Sequence, residues 1–435
     1  MKSEYREIMP GVRLRVVQTD RFKSSCFSVS FLQRLEAGNA SKNAAIPRIL
    51  RRGSRLHPDL ESLAAELDAL YGARVEPVVR KLGDVQAFGM LCDFVDGRYT
   101  GAGKGLLDQC LKLVGEILLD PVVENGGFSE EAVAGERENL KDDIRSEIND
   151  KATYAYRRVL HCLYDGAGFG LSELGDVESV DALDGAELYR HYRARLESAP
   201  MELFCCGDFA FEQVEAAVKK AFARLERARV VPVASSALPM PEGEREIIEQ
   251  MDMAQAVLMV GAGCGIRFDD PAFPAMRVLS MVLGGGSTSK LFVNVREKKS
   301  LCYYTSALYD RFQGAMFLYC GVDPEKVDAA RGELLRQLKA CVDGEIDDEE
   351  LVNAKKLLIN QFKTIKDSPY PLENYWLSEA VAGTEITPGQ AARSLSEVTV
   401  SQVAEAARRC NLAITYLLTG KGENVHERKY IPGDQ

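Results

Sequence analysis

The feature that most constrains this chain is that it repeats itself. The strand-like end GMLCDFVD (89–96) is answered by GAMFLYCGVD (314–323), and the helix start FSEEAV (128–133) by IDDEELV (346–352). The segment from Val180 to Gly207 is answered in turn by Leu395 to Gly420. Any single match of this kind is a helix start and nothing more, but matches in serial order imply duplicated structure. Between the copies lie Pro232, Pro239, Pro241 and Gly243, which can continue neither helix nor strand. The expected organisation is a domain over residues 1–226, a linker over 227–247 and a similar domain over 248–435, both α+β. Facing duplicated domains tend to enclose a cavity, where ligands bind.

Local patterning fills each copy with short strands and amphipathic helices. Val12, Leu14 and Val16, then Cys26, Phe27, Val29 and Phe31, alternate as a pair of strands. Helices are expected over 43–52, ending at Gly53-Ser54, and over 60–71, where Leu63, Leu67 and Leu70 share a face. Others are expected over 105–119, over 129–149 with Ser129 as N-cap, and over 180–195.

One stretch, LGGGSTSKLFVNVREKKSLCYY (283–304), suggests a site. Gly284, Gly285 and Gly286 end an apolar run, and Leu291, Phe292 and Val295 then recur at helical spacing. Arg296 closes that helix, and Tyr303 lies just inside the next strand. On either side of a tight turn, the two could hold a peptide carbonyl. Equally, Arg296 could cap its helix while Tyr303 is half-buried core with a hydrated hydroxyl.

Other motifs are weaker. VGAGCGI (260–266) lacks the third glycine of a dinucleotide fingerprint, and GAGKG (101–105) follows Arg98 where a phosphate loop needs glycine. No Gly-x-Ser-x-Gly elbow occurs, and the paired carboxylates lie in charged helical segments. Four histidines are present: His57, His161, His191 and His426. His57 with Glu61 could share a helix face as metal ligands, but Pro58 places His57 ahead of that helix. The formal charge of -11 argues against a nucleic-acid partner. No apolar run reaches membrane-spanning length, and the charged N-terminal stretch has no signal-peptide core. Eleven scattered cysteines, several within apolar runs, suit a reducing cytoplasm better than a disulfide framework.

The stretch GGGSTSKLFVNVREKKSLCYY, with the duplication and the linker, resembles the insulinase, pitrilysin and mitochondrial-processing-peptidase family of zinc metallopeptidases. The resemblance implies two homologous domains, each a mostly antiparallel sheet covered by helices. It also implies a zinc motif, His-x-x-Glu-His, in the first half, with a later Glu as third ligand. Anchored on Gly53-Ser54, that motif falls on Ala44-Ala45-Ile46-Pro47-Arg48. Ala44 and Arg48 stand at the histidines, Pro47 at the general base, and Asp143 at the later Glu. One carboxylate cannot replace three ligands, so no metal is expected in this chain.

Arg296 and Tyr303 match the family's substrate-clamping pair, and Gly284 to Gly286 its glycine run. The resemblance thus implies a catalytically inactive, substrate-binding subunit in the cytoplasm. It would take an extended peptide, have no nucleic-acid or membrane partner, and dock on a homologous subunit that carries zinc. Two alternatives stand beside this reading: a structural scaffold with no part in proteolysis, and a self-sufficient peptidase with atypical ligands such as His57 and Glu61.

Overall fold

The computed structural model describes residues 1–420 except positions 102, 104, 166, 167, 237, 239 and 242. His426, Pro239 and two positions of the GAGKG turn lie outside the described residues. The chain divides into two compact units. The first comprises Met1–Ser146, Leu171–Ser235 and Ile365–Gly383; the second comprises Glu147–Gly170, Ser236–Thr364 and Thr384–Gln435.

The first unit is built on six strands: β1 (Lys2–Met9), β2 (Val12–Gln18), β3 (Ser24–Arg34), β4 (Arg74–Leu82), β5 (Val85–Val95) and β6 (Met201–Gly207). Their order is β1-β2-β6-β3-β5-β4. Only β2 and β6 run parallel. The pairing expected between the two alternating runs near the N-terminus is therefore replaced, because β6 lies between β2 and β3. Alternation reports that a strand has a buried face, not which strand lies beside it. MELFCCG is buried along its whole length, which suits it to the interior of a sheet.

The second unit has β7 (Arg245–Met251), β8 (Ala256–Gly263), β9 (Cys302–Asp310), β10 (Ala315–Val322) and β11 (Asn411–Gly420), in the order β7-β11-β8-β10-β9. Again one pair, β7 and β11, is parallel and the rest are antiparallel. Reading β2, β6, β3, β5 and β4 in their place reproduces the order and sense of the first sheet. The repeat in sequence is thus a repeat in topology, with β1 added at one end.

The helices differ in detail from the periodicity. The helix expected over 43–52 spans Ala37–Leu50, so Pro47 lies inside it. Proline there removes the hydrogen bond to the Asn43 carbonyl, at a cost of about 3 kcal/mol. Burial of Ala44, Ala45, Ile46 and Ile49 in the core offsets it. The segment expected over 180–195 breaks into Val177–Asp181 and Gly185–Ser198. Asp184 is the reason: its side chain accepts from the Glu187 amide and starts a new helix.

Helices beginning at Glu130 and Lys151 recur at the same interval as helices beginning at Asp348 and Pro369. The Lys151–Leu163 helix packs on β8 and β11 of the second sheet, and Pro369–Ala382 on β6 and β3 of the first. Each is fastened by a buried carboxylate. Glu249 on β7 accepts from Tyr154 at 2.6 Å, Arg158 at 2.7 Å and Tyr416 at 2.8 Å. Glu373 accepts from Arg80 at 2.7 Å and Ser28 at 3.0 Å. Among the described residues, no helix is long and apolar enough to cross a membrane.

Candidate functional site

Two places carry the residues singled out by the sequence. The first is the Ala37–Leu50 helix, which packs against Glu130–Ser146. Ala44 is fully buried and presents a methyl group. Pro47 presents a ring with no donor atom. Arg48 reaches the neighbouring helix, where its Nη2 lies 2.5 Å from Oδ2 of Asp143. The two positions that the resemblance aligns with metal ligands therefore meet each other, as an ion pair with side chains 21% and 51% exposed. Glu136, two turns nearer the start of that helix, is also engaged, accepting from Arg52 at 3.0 Å and Asn139 at 3.1 Å.

Zinc needs several lone-pair donors converging on one point. A methyl, a proline ring and a guanidinium supply none, and the one carboxylate already neutralises Arg48. These residues do not fit a zinc ion. Among the described residues, no group of three His, Cys, Asp or Glu side chains is arranged to hold a metal. His57 is not joined to Glu61: its Nδ1 lies 2.9 Å from Glu116 and its Nε2 3.8 Å from Glu66. His191 contacts Asn43 at 2.8 Å, and burial pushes its imidazole down to about 4, so it stays neutral near pH 7.

The second place lies in the second unit. Gly284 ends the Phe273–Gly284 helix so close to β9 that a Cβ there would stand 2.0 Å from the Ala307 nitrogen. No other residue fits. Ser306 ties this approach by donating to the Gly284 carbonyl at 3.1 Å. Gly286 has φ of +126°, which side-chain-bearing residues rarely adopt. The helix expected next is, over Phe292–Lys298, a π-helical turn. Such turns concentrate at functional sites.

That turn closes by backbone alone, with the Ser300 amide on the Arg296 carbonyl at 3.1 Å and the Leu301 amide on Val295 at 3.0 Å. Arg296 is therefore not spent on capping. Its guanidinium lies over the Phe292 ring at 4.7 Å, is 42% exposed, and approaches the Glu297 carboxylate only to 3.8 Å. Asn294 donates to Gln337 at 3.0 Å, and Lys299 pairs with buried Glu333, so the turn is held from the Val327–Val342 helix.

Tyr303 owes its direction to a break in pairing. Cys302 faces Val322 and Tyr304 faces Gly321, leaving Tyr303 as the extra residue of a β-bulge. A bulge re-aims the side chain it carries. Tyr303 is 49% exposed and thus no part of the core, and its hydroxyl donates to Asp323 at 2.6 Å. Tyr304 instead lies along β10, in the space Gly321 leaves by having no side chain. Asp323 was not singled out by its residue chemistry. Its one signal was its place at the end of a repeated segment, opposite Asp96.

The chain resembles known proteins along most of its length. Residues 182–358 match the family model described as the peptidase M16 inactive domain. The chain is 27% identical over 410 residues to the probable inactive metalloprotease YmfF of Bacillus subtilis strain 168, covering 94% of this chain and 96% of that one. A conserved protein of Enterococcus faecalis V583 has a TM-score of 0.87 at 26% identity, over 97% of this chain and 99% of that one. A peptidase M16 inactive domain from Pseudomonas fluorescens shares the fold, with a TM-score of 0.79 at 16% identity, over 97% and 99% of the two chains. Over residues 182–358 the chain thus resembles the M16 peptidases, and along most of its length it resembles a probable inactive metalloprotease.

Proposed function

We propose that the chain is the catalytically inactive, substrate-binding subunit of a heterodimeric zinc peptidase in the cytoplasm. The observation that carries this reading is a contrast between its two sites. Where a metal would sit, Arg48 and Asp143 are bonded to each other. At the glycine-rich turn, Arg296 and Tyr303 remain turned to solvent on a π-turn and a bulge. A chain that served only as a scaffold would have no use for that second geometry. Gly284, Gly285 and Gly286 bring the chain into the turn, and the pair binds an extended peptide. A homologous partner supplies the zinc, and with it the activated water. We read residues 1–226 and 248–435, joined through 227–247, as the two products of a duplication.

Co-expression with a zinc-bearing member of the family tests this. Proteolysis by the pair is expected to fall about tenfold with Arg296→Ala or Tyr303→Phe, through weaker peptide binding. Turnover unchanged by both would remove the pair from the mechanism.

A further inference from the structure

Tyr303 has a single hydroxyl proton, and Asp323 already receives it. The phenol donates to Oδ1 of Asp323 at 2.6 Å, immediately after β10. The other carboxylate oxygen lies 3.3 Å from Nζ of Lys326. That ammonium also donates to the Ser300 carbonyl at 3.3 Å. Asp323 and Lys326 thus fix the Tyr303 hydroxyl and, with the same contacts, the turn that precedes it.

A phenol whose proton is given away cannot donate to a second group, but its oxygen can still accept. Donation to a charged acceptor polarises the phenol and makes that oxygen a better acceptor. The same contact raises the Tyr303 phenol above its ordinary pKa and lowers the Asp323 carboxyl below its own. Arg296 is the opposite kind of group, with five N–H donors and no acceptor.

Taking Arg296 and Tyr303 as the peptide-binding pair, as above, we propose that Asp323 is a positioning residue that makes Tyr303 a hydrogen-bond acceptor. The pair then reads a backbone N–H through Tyr303 and a backbone C=O through Arg296. In an extended strand the N–H and C=O of one residue point to the same edge. A donor on the π-turn and an acceptor on the strand packed against it therefore recognise extended polypeptide by its main chain, whatever its side chains. The ligand class is unfolded polypeptide.

The test uses the full chain and fluorescence anisotropy with a set of short fluorescein-labelled peptides of varied sequence. The tightest binder is then remade with successive amides replaced by esters, which removes one N–H at a time. Tyr303→Phe and Asp323→Ala are each expected to weaken binding about threefold to tenfold. The double variant should be no weaker than either single. Asp323→Asn, whose carbonyl oxygen still accepts from the phenol, should recover most of what Asp323→Ala loses. One ester position should weaken binding to the parent protein and not to Tyr303→Phe; thermal melts identify any variant that misfolds.

Tighter binding by Asp323→Ala would overturn the proposal, because Tyr303 would then be a donor held back by its partner. So would unchanged binding by Asp323→Ala, an ester series with no such position, or a peptide set in which nothing binds. If Tyr303→Phe and Arg296→Ala also leave affinity unchanged, the peptide-binding reading itself fails.

Discussion

At position 48, which the family resemblance aligns with a metal-binding histidine, a guanidinium is ion-paired with Asp143, the carboxylate aligned with the later ligand. Restoring the donors tests that correspondence directly. The combined variant Ala44→His, Pro47→Glu, Arg48→His, Asp143→Glu recreates three ligands and a general base. It is expected to purify with near one equivalent of zinc by elemental analysis, and the parent chain with none. A variant that takes up no metal means the positions were misassigned.

Glu202 makes a second prediction at this scale. It is buried on β6, with the Tyr5 hydroxyl at 3.1 Å and Arg13 against it. Burial raises its carboxyl from 4.5 to about 7, with Arg13 pulling the other way. The folded state then binds the proton more tightly than the unfolded state. Its contribution is full below pH 4.5 and is lost as pH rises towards 7, on the order of 3 kcal/mol across the window. Glu202→Gln should flatten the Tm-against-pH curve between those limits. A slope that survives the substitution assigns it to another group.

At the scale of elements, the Pro369–Ala382 helix is the informative case. Its apolar residues lie on several sides and form no single face, so periodicity does not say which sheet it will cover. What docks it on the first sheet is long-range: Glu373 on Arg80, and Trp376 stacked on the Arg15 guanidinium at 4.0 Å. Glu373→Ala leaves Arg80 without its buried partner, at a cost of about 3–5 kcal/mol. Trp376 is the chain's single tryptophan, so its emission reports on this helix alone. A lower Tm with a red-shifted spectrum is expected, and an unshifted spectrum would mean the helix docks without the ion pair.

The π-turn and the bulge show a different limit. Of the three residues at helical spacing, Leu291 and Val295 are buried and Phe292 is half-buried, because spacing reports burial only in outline. Spacing does not report the one residue by which a π-turn or a bulge departs from regular structure. Those single residues are what aim Arg296 and Tyr303.

At the scale of the whole molecule, two sheets of matching strand order make duplication a statement about topology as well as sequence. A subunit of the proposed kind should elute from gel filtration with one homologous, zinc-bearing chain, at about twice its own mass. An interface able to survive that separation buries roughly 1,200–2,000 Å². Recovery in a large multi-subunit assembly would favour the scaffold reading instead.

The sequence by itself determined that the chain is a duplicated α+β protein. It also showed where an Arg and a Tyr flank a turn. Those are properties of composition and local order, which periodicity and motif spacing record. Only the tertiary structure decided that β6 separates β2 from β3, that Arg48 and Asp143 bond to each other, and that Asp323 holds the Tyr303 proton. Each of these joins residues distant along the chain. Such contacts are chosen by the packing of whole elements, and no local pattern encodes them.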